Sequence, residues 1–209
     1  MYLDVFDRNP YGTDCWLLAA DGTDEAVVVD PGFEPEAVHA LLAAAGKTPV
    51  AVLLTHAHLD HAGTAGAFAG DEVPVFCHAA DAVAFTDPVA WRRDGLPNPL
   101  EPVKDLRSFD DGDVLRLGGV DVEIWHTPGH TPGHCIFRVD GEVLVFSGDL
   151  VFAGSIGRSD FANSDPAAMR RSLARFLTLP DDLRVLPGHG PETTVGRERA
   201  TNPYLREIG

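Results

Sequence analysis

Two hydrophobic signatures alternate along the chain: short apolar runs ending in Gly-, Pro- or Asp-containing turns, and stretches with apolar residues three or four apart. Tyr2–Phe6, Cys15–Ala19 and Ala26–Val29 read as strands, the last closed by Asp30-Pro31-Gly32. Pro35–Ala45 reads as a helix: proline suits its first turn, Val38, Leu41, Leu42 and Ala45 share a face, and Gly46 stops it. His39 falls off that face and reads as solvated. Val50–Leu54 is unbroken apolar sequence, as in a strand buried on both faces. A small-residue helix (Ala62–Ala69), a short strand (Val73–Cys77) and a helix (Ala79–Phe85) follow.

Residues 86–106 are dense in turn formers, with Trp91, Arg92 and Arg93 among them, and read as a long loop able to wall a site. Strands resume at Asp113–Leu117, Val120–Trp125, Ile136–Val139 and Val143–Ser147. Ser164-Asp165-Pro166 places a capping residue before a proline and opens another helix. Its apolar stripe is Met169, Leu173, Phe176 and Leu177, with Arg170, Arg171 and Arg175 expected on a solvated face. A last strand, Arg184–Leu186, precedes Pro187-Gly188-His189-Gly190. The pattern is α/β, and 209 residues suit a single domain spanning 1–209.

Composition narrows the function classes. The net charge of −16 repels phosphate backbones, so no nucleic-acid partner is expected. No apolar run approaches membrane-spanning length and no signal-peptide pattern opens the chain, so the expectation is a cytoplasmic protein without a membrane partner. Cys15, Cys77 and Cys135 are odd in number and far apart, which argues against a disulfide framework or a thiolate metal site and for small buried residues.

The nine histidines change the picture because they cluster. Thr55-His56-Ala57-His58-Leu59-Asp60-His61 follows the buried strand directly. His56 and His58, one residue apart, can face one point, and a turn at Asp60 and His61 can aim those two at a second. Imidazoles and carboxylates are ligands for zinc, iron or manganese. Three later segments repeat the placement after a strand: His126-Thr127-Pro128-Gly129-His130, Ser147-Gly148-Asp149 and Pro187-Gly188-His189. Their glycines let backbone approach a cluster closely. Together the four strand ends supply seven candidate ligands, enough for two metals.

These segments resemble the metallo-β-lactamase-fold hydrolases, specifically the short glyoxalase II-like (hydroxyacylglutathione hydrolase-like) branch, over nearly the whole chain. The resemblance implies an αβ/βα four-layer sandwich of two mixed sheets flanked by helices, with two divalent ions at one edge, zinc foremost and iron or manganese as alternatives. Position by position, His56, His58 and His130 would hold the first ion, Asp60, His61 and His189 the second, and Asp149 would bridge them. Between His130 and His134, the family pattern assigns the ligand role to His130 and leaves His134 behind the ligands. Asp30 matches the family's acid that orients the ligand loop, and His78 and His126 read as structural. The implied reaction is thioester hydrolysis of S-lactoylglutathione or another acyl-thiol by a metal-bound bridging hydroxide, with Asp60 also orienting that hydroxide.

Gly154–Phe161 and Thr201–Leu205 strengthen the likeness, with Arg158 and Asp160 expected to pair within their loop. No substrate-binding residue is assigned. With 20 residues after His189, the C-terminal helical region that grips glutathione in longer glyoxalase II enzymes is not expected here. The alternative is a persulfide dioxygenase, which shares the fold and would hold one iron with His56, His130 and Asp149. Neither a metal-sensing module nor an exported β-lactamase fits as well, the first lacking damaged ligands and the second an export signal.

Overall fold

The computed structural model describes residues 1–68, 73–87, 100–141 and 143–208. Among them, six strands form a first sheet in sequence order: β1 (Tyr2–Phe6), β2 (Cys15–Ala19), β3 (Glu25–Val29), β4 (Thr48–Leu53), β5 (Val75–Phe76) and β6 (Leu106–Arg107). β1 to β3 pair antiparallel and β3 to β6 parallel. The connections carry α1 (Pro35–Ala44), α2 (Leu59–Ala62), α3 (Ala65–Phe68) and α4 (Ala79–Thr86).

The second half contributes β7 (Val114–Leu117), β8 (Val120–His126), β9 (Cys135–Val139) and β10 (Leu144–Gly148). A hairpin of β11 (Val151–Phe152) and β12 (Ser155–Ile156) follows, then α5 (Pro166–Phe176), β13 (Arg184–Pro187), β14 (Thr193–Thr194), α6 (Val195–Thr201) and α7 (Pro203–Arg206). The second sheet runs β14-β13-β10-β9-β8-β7, with β10 and β13 parallel and the other pairs antiparallel.

The central strands of both sheets, β2 and β10 among them, are buried on two faces, which is why they read as continuous apolar runs. Leu18, Val27, Val29 and Leu53 point between the sheets against Ile124, Phe137, Leu144 and Phe146. The alternate residues Leu17, Val28 and Val52 face outward onto Val38 and Leu42 of α1 and Phe68 of α3. On the opposite side Ile136, Val145 and Val185 meet Met169, Leu173 and Phe176 of α5, with Val195 and Leu205 from the last two helices. The result is the expected four-layer α/β sandwich of two mixed sheets between helices. Cys15, Cys77 and Cys135 are buried and free, as their spacing suggests.

At one edge, links between the sheets set the ground for a site. Trp16 Nε1 donates to Pro187 O at 2.9 Å, Asp14 N to Gly188 O at 2.7 Å, and Cys135 N to Thr55 O at 2.8 Å. These bonds join the ends of β4 and β13 to the starts of β2 and β9.

Four sequence expectations change. The helix expected over Ala62–Ala69 is two short helices, and the first starts at Leu59, so Asp60 and His61 sit on α2 and not in a turn. The interruption is tertiary: Thr64 N and Oγ1 both bond Gly32 O at 3.0 Å, drawing the chain onto the loop after β3. Ala69 and the loop segment 88–99, with Trp91, Arg92 and Arg93, lie outside the described residues. His39 is exposed but not merely solvated, because it stacks on Phe68 at 4.5 Å. Arg175 donates to Asp111 at 2.6 Å and to His126 O at 3.1 Å and covers the Trp125 ring at 4.5 Å, so it ties α5 to the second sheet. The hairpin β11–β12, the strand β14 and the helices α6 and α7 were not anticipated; the hairpin strands and β14 have two residues each, too few for a periodicity. No described helix is long and apolar enough to cross a membrane.

Candidate active site

The seven candidate ligands lie together at the edge where β4, β8, β10 and β13 end. His56 Nε2 is 3.1 Å and His130 Nε2 2.9 Å from His58 Nδ1. Asp60 Oδ2 is 3.7 Å from His61 Nε2 and 3.4 Å from His189 Nε2, and the two imidazoles are 3.3 Å apart. Asp149 spans the two groups, with Oδ2 3.2 Å from His130 Nε2 and Oδ1 3.3 Å from His61 Nε2. His56, His58 and His130 offer one cation-sized arrangement of donor atoms, Asp60, His61 and His189 a second, and His56, His61 and Asp149 a third that straddles them.

The outward ring nitrogens fix the tautomers. His130 Nδ1 donates to Arg158 O at 2.7 Å and His189 Nδ1 to Gly12 O at 3.1 Å; a carbonyl only accepts, so both Nε2 atoms carry inward lone pairs. His61 Nδ1 donates to Asp30 Oδ2 at 3.0 Å. Thr55 Oγ1 gives its one proton to Asp30 Oδ2 at 2.6 Å and therefore accepts from His56 Nδ1 at 3.1 Å. The Nε2 atoms of His56 and His130 thus both turn to His58 Nδ1, at 3.1 and 2.9 Å, and a single proton there can serve only one of them. Asp149 Oδ1 is buried and has no hydrogen-bond partner among the described residues. That donor set of neutral nitrogens and carboxylate oxygens fits divalent cations.

The electrostatics differ between the two groups. Burial, then the neighbouring imidazoles, hold His56 well below its ordinary pKa, favouring the neutral ligand form. Burial acts against charge on His61, yet Asp149, Asp30 and Asp60 outweigh it and raise its pKa well above the usual value. Burial would likewise lift Asp149 and Asp60, but His61 overrides it and holds both below the usual carboxylate range.

Backbone closeness explains the glycines. A Cβ on Gly188 would lie 2.6 Å from His61 Cε1 and 2.7 Å from Asp149 Oδ1, and one on Gly157 would lie 1.9 Å from Asp149 O. Asp30 takes a left-handed φ of 51° in a buried turn, a strained choice for a non-glycine residue. Its bonds to Thr55 N at 2.8 Å, Thr55 Oγ1 and His61 hold it there.

His134 is placed behind the cluster: Asp149 N donates to its Nε2 at 3.0 Å, and its Nδ1 donates to Thr127 Oγ1 at 2.9 Å. Burial pushes its pKa down to about 3. His78 and His126 stack on each other at 4.0 Å, away from the donor groups. Arg158 pairs with Asp160 at 2.8 Å and lies over Phe161 at 4.4 Å.

Several contributors carry no local sequence signal. Phe161 presents its ring near His58 at 5.6 Å and His130 at 5.9 Å, Phe152 near His189 at 5.8 Å, and Tyr11 stacks at 5.0 Å on Phe33, the residue after Gly32, whose N bonds His61 O. Asp14 is buried beside Gly188, and burial pushes its carboxyl up to about 7 although His189 pulls it back. Glu198, fully buried on α6, accepts from Gly154 N at 2.7 Å and Thr193 Oγ1 at 2.6 Å, bracing the hairpin next to Asp149. Asp81 is also fully buried, and burial lifts its pKa to about 6 against three hydrogen-bond donors.

A family model described as the metallo-beta-lactamase superfamily matches residues 8–189, a span that holds all seven candidate ligands. The chain belongs to that superfamily. Hydroxyacylglutathione hydrolase GloC of Haemophilus influenzae is 34% identical over 98% of this chain and 98% of its own. The crystal structure of BLEG-1 B3 metallo-beta-lactamase matches with a TM-score of 0.87 at 35% identity, covering 98% of this chain and 99% of that one. TTHA1623 in a di-iron-bound form matches at 0.78 and 40% identity over 98% and 100% of the two chains. ETHE1 from Myxococcus xanthus matches at 0.78 and 26% identity over 97% and 84%. These superfamily neighbours share the sandwich, and the likeness to metallo-hydrolases makes this chain a metal-binding enzyme.

Proposed function

We propose that this superfamily member is a binuclear metal-dependent hydrolase of acyl-thiol thioesters, small-molecule substrates of the kind GloC's name describes. His56, His58 and His130 would hold one divalent ion, Asp60, His61 and His189 the other, with Asp149 between them. Zinc is the proposed pair, since neutral imidazoles and carboxylates suit it, and the di-iron form of TTHA1623 makes iron the first alternative. The carrying observation is the Asp149 carboxylate, whose two oxygens reach His130 and His61 at 3.2 and 3.3 Å.

Bound there, two divalent ions lower the pKa of a water from 15.7 towards about 7 and polarise an acyl carbonyl. The chain's own residues do the rest. His189, with 27% of its side chain exposed, and Asp60, with 11%, open the cluster to solvent, so a substrate enters on their side. Asp60, kept ionised by His61, would orient the attacking water as an acceptor. Asp30 holds the His61 ring, and Arg158 O the His130 ring, in the tautomers that face the ions. Phe161 and Phe152 exclude water from the flanks.

A dioxygenase with one iron on His56, His130 and Asp149 remains the second reading, favoured by the likeness to ETHE1. It leaves the convergence of Asp60, His61 and His189 without use. Metal-replete protein assayed on acyl-thiol thioesters, a β-lactam and glutathione persulfide separates the readings. Thioester hydrolysis with two ions per chain is expected. Oxygen uptake with persulfide and one iron per chain would overturn it, as would hydrolysis of the β-lactam alone.

A further inference from the structure

We infer that Asp81, outside the seven ligands, positions the imidazoles of the first group by binding both loops that carry them. Asp81 lies in the first turn of α4 and is fully buried. Its Oδ2 accepts from Ala57 N at 3.1 Å and from Thr131 Oγ1 at 2.7 Å, and its Oδ1 accepts from Gly133 N at 2.6 Å. Ala57 stands between His56 and His58; Thr131 and Gly133 follow His130. One carboxylate therefore grips the backbone beside all three ligands of that group, across 24, 50 and 52 residues of sequence.

The contact is built for a carboxylate. All three described partners are donors, so only an acceptor at both oxygens satisfies them. Gly133 approaches so closely that a Cβ there would lie 2.7 Å from Asp81 Oδ1. The second group has a different support, because Asp30 binds His61 directly through its ring. Asp81 touches no ligand ring in this way. It acts through backbone and hydroxyl, as a positioning residue whose loss loosens the geometry of one ion.

The inference rests on the binuclear reading, and the test separates the two. Cobalt-loaded protein gives shifted, exchangeable imidazole N–H resonances. Those of His56 and His130, which donate outward to Thr55 and Arg158, mark the first group. Those of His61 and His189, which donate to Asp30 and Gly12, mark the second. In a chelator titration, Asp81→Asn is expected to lose the His56 and His130 signals at about 10–100-fold weaker metal affinity, while the other pair keeps the wild-type midpoint. Thr131→Val removes one of the three bonds and guards against a misfolded Asp81 variant; it is expected to shift the first pair in the same direction by less, and Thr131→Ser to restore it. Equal shifts of both pairs, or wild-type midpoints in both variants, would overturn the positioning role. A wild-type chain that takes up a single ion would defeat the binuclear reading, and Asp81 is then judged on the His56 and His130 signals of that ion alone.

Discussion

The two candidate ligand groups that converge on Asp149 differ in composition, exposure and support. His56, His58 and His130 are all imidazole and at most 2% exposed. Their loops are joined through the buried Asp81 carboxylate. Asp60, His61 and His189 mix carboxylate with imidazole, and His189 leaves 27% of its side chain in solvent. His61 is held directly by the strained Asp30, which reaches His56 only through Thr55 Oγ1, and His189 by the carbonyl of Gly12 in the loop between β1 and β2. The difference teaches a division of labour. On the proposed binuclear reading, a closed, backbone-clamped group would hold its ion rigidly, whereas the group with a carboxylate and the exposed His189 would be where substrate and water exchange.

Removing what the groups share is the most severe way to break this comparison. Asp149→Ala should release both ions and lower thioester hydrolysis by at least about 10³-fold, since metal activation supplies several kcal/mol of transition-state stabilisation. Metal content and kcat measured together check it. Next in size, Asp30→Asn should weaken the ion on His61 by about 10–100-fold, the counterpart of Asp81→Asn on the other side, read from a competition titration. If Asp30→Asn loosened the first ion more, the assignment of separate supports would be wrong. Chelator added to the fully loaded wild-type chain should then remove one ion about tenfold more readily than the other, the His61 and His189 resonances fading first.

The smallest effect concerns Asp14, on the open side. Burial raises its folded pKa to about 7 from an ordinary 3.8, so its proton is bound more tightly in the folded state. Stability from this group is complete below about pH 4, falls as pH rises through 7, and is gone above it. Asp14→Asn should therefore stabilise the metal-free protein at pH 8 by about 1–2 kcal/mol, discounted for solvent screening, and by nothing comparable at pH 4. Thermal melts at the two pH values measure this directly.

Much of the architecture was legible because burial on two faces writes itself as unbroken apolar runs. Val50–Leu54 and Cys15–Ala19 locate β4 and β2 within two residues, and Pro35 and Gly46 bracket α1. The ligand cluster was legible for a related reason: His56, His58, Asp60 and His61 are neighbours in sequence, and His130, Asp149 and His189 each follow an apolar strand. The rest carried no such mark. The turn expected at Asp60 is a helical turn, and the arginine expected to be solvated, Arg175, bonds Asp111 across 64 residues.

By itself, then, the sequence determined which residue types stand at the strand ends, because strands, helix starts and H-x-H spacing are local and periodic. Only the tertiary structure decided which ring nitrogen faces inward, that Asp30 is strained into place, and that Asp81 joins two loops. Each of those depends on hydrogen bonds between residues 24 to 177 positions apart, and such bonds form only when packing of the two sheets removes water from the edge they share.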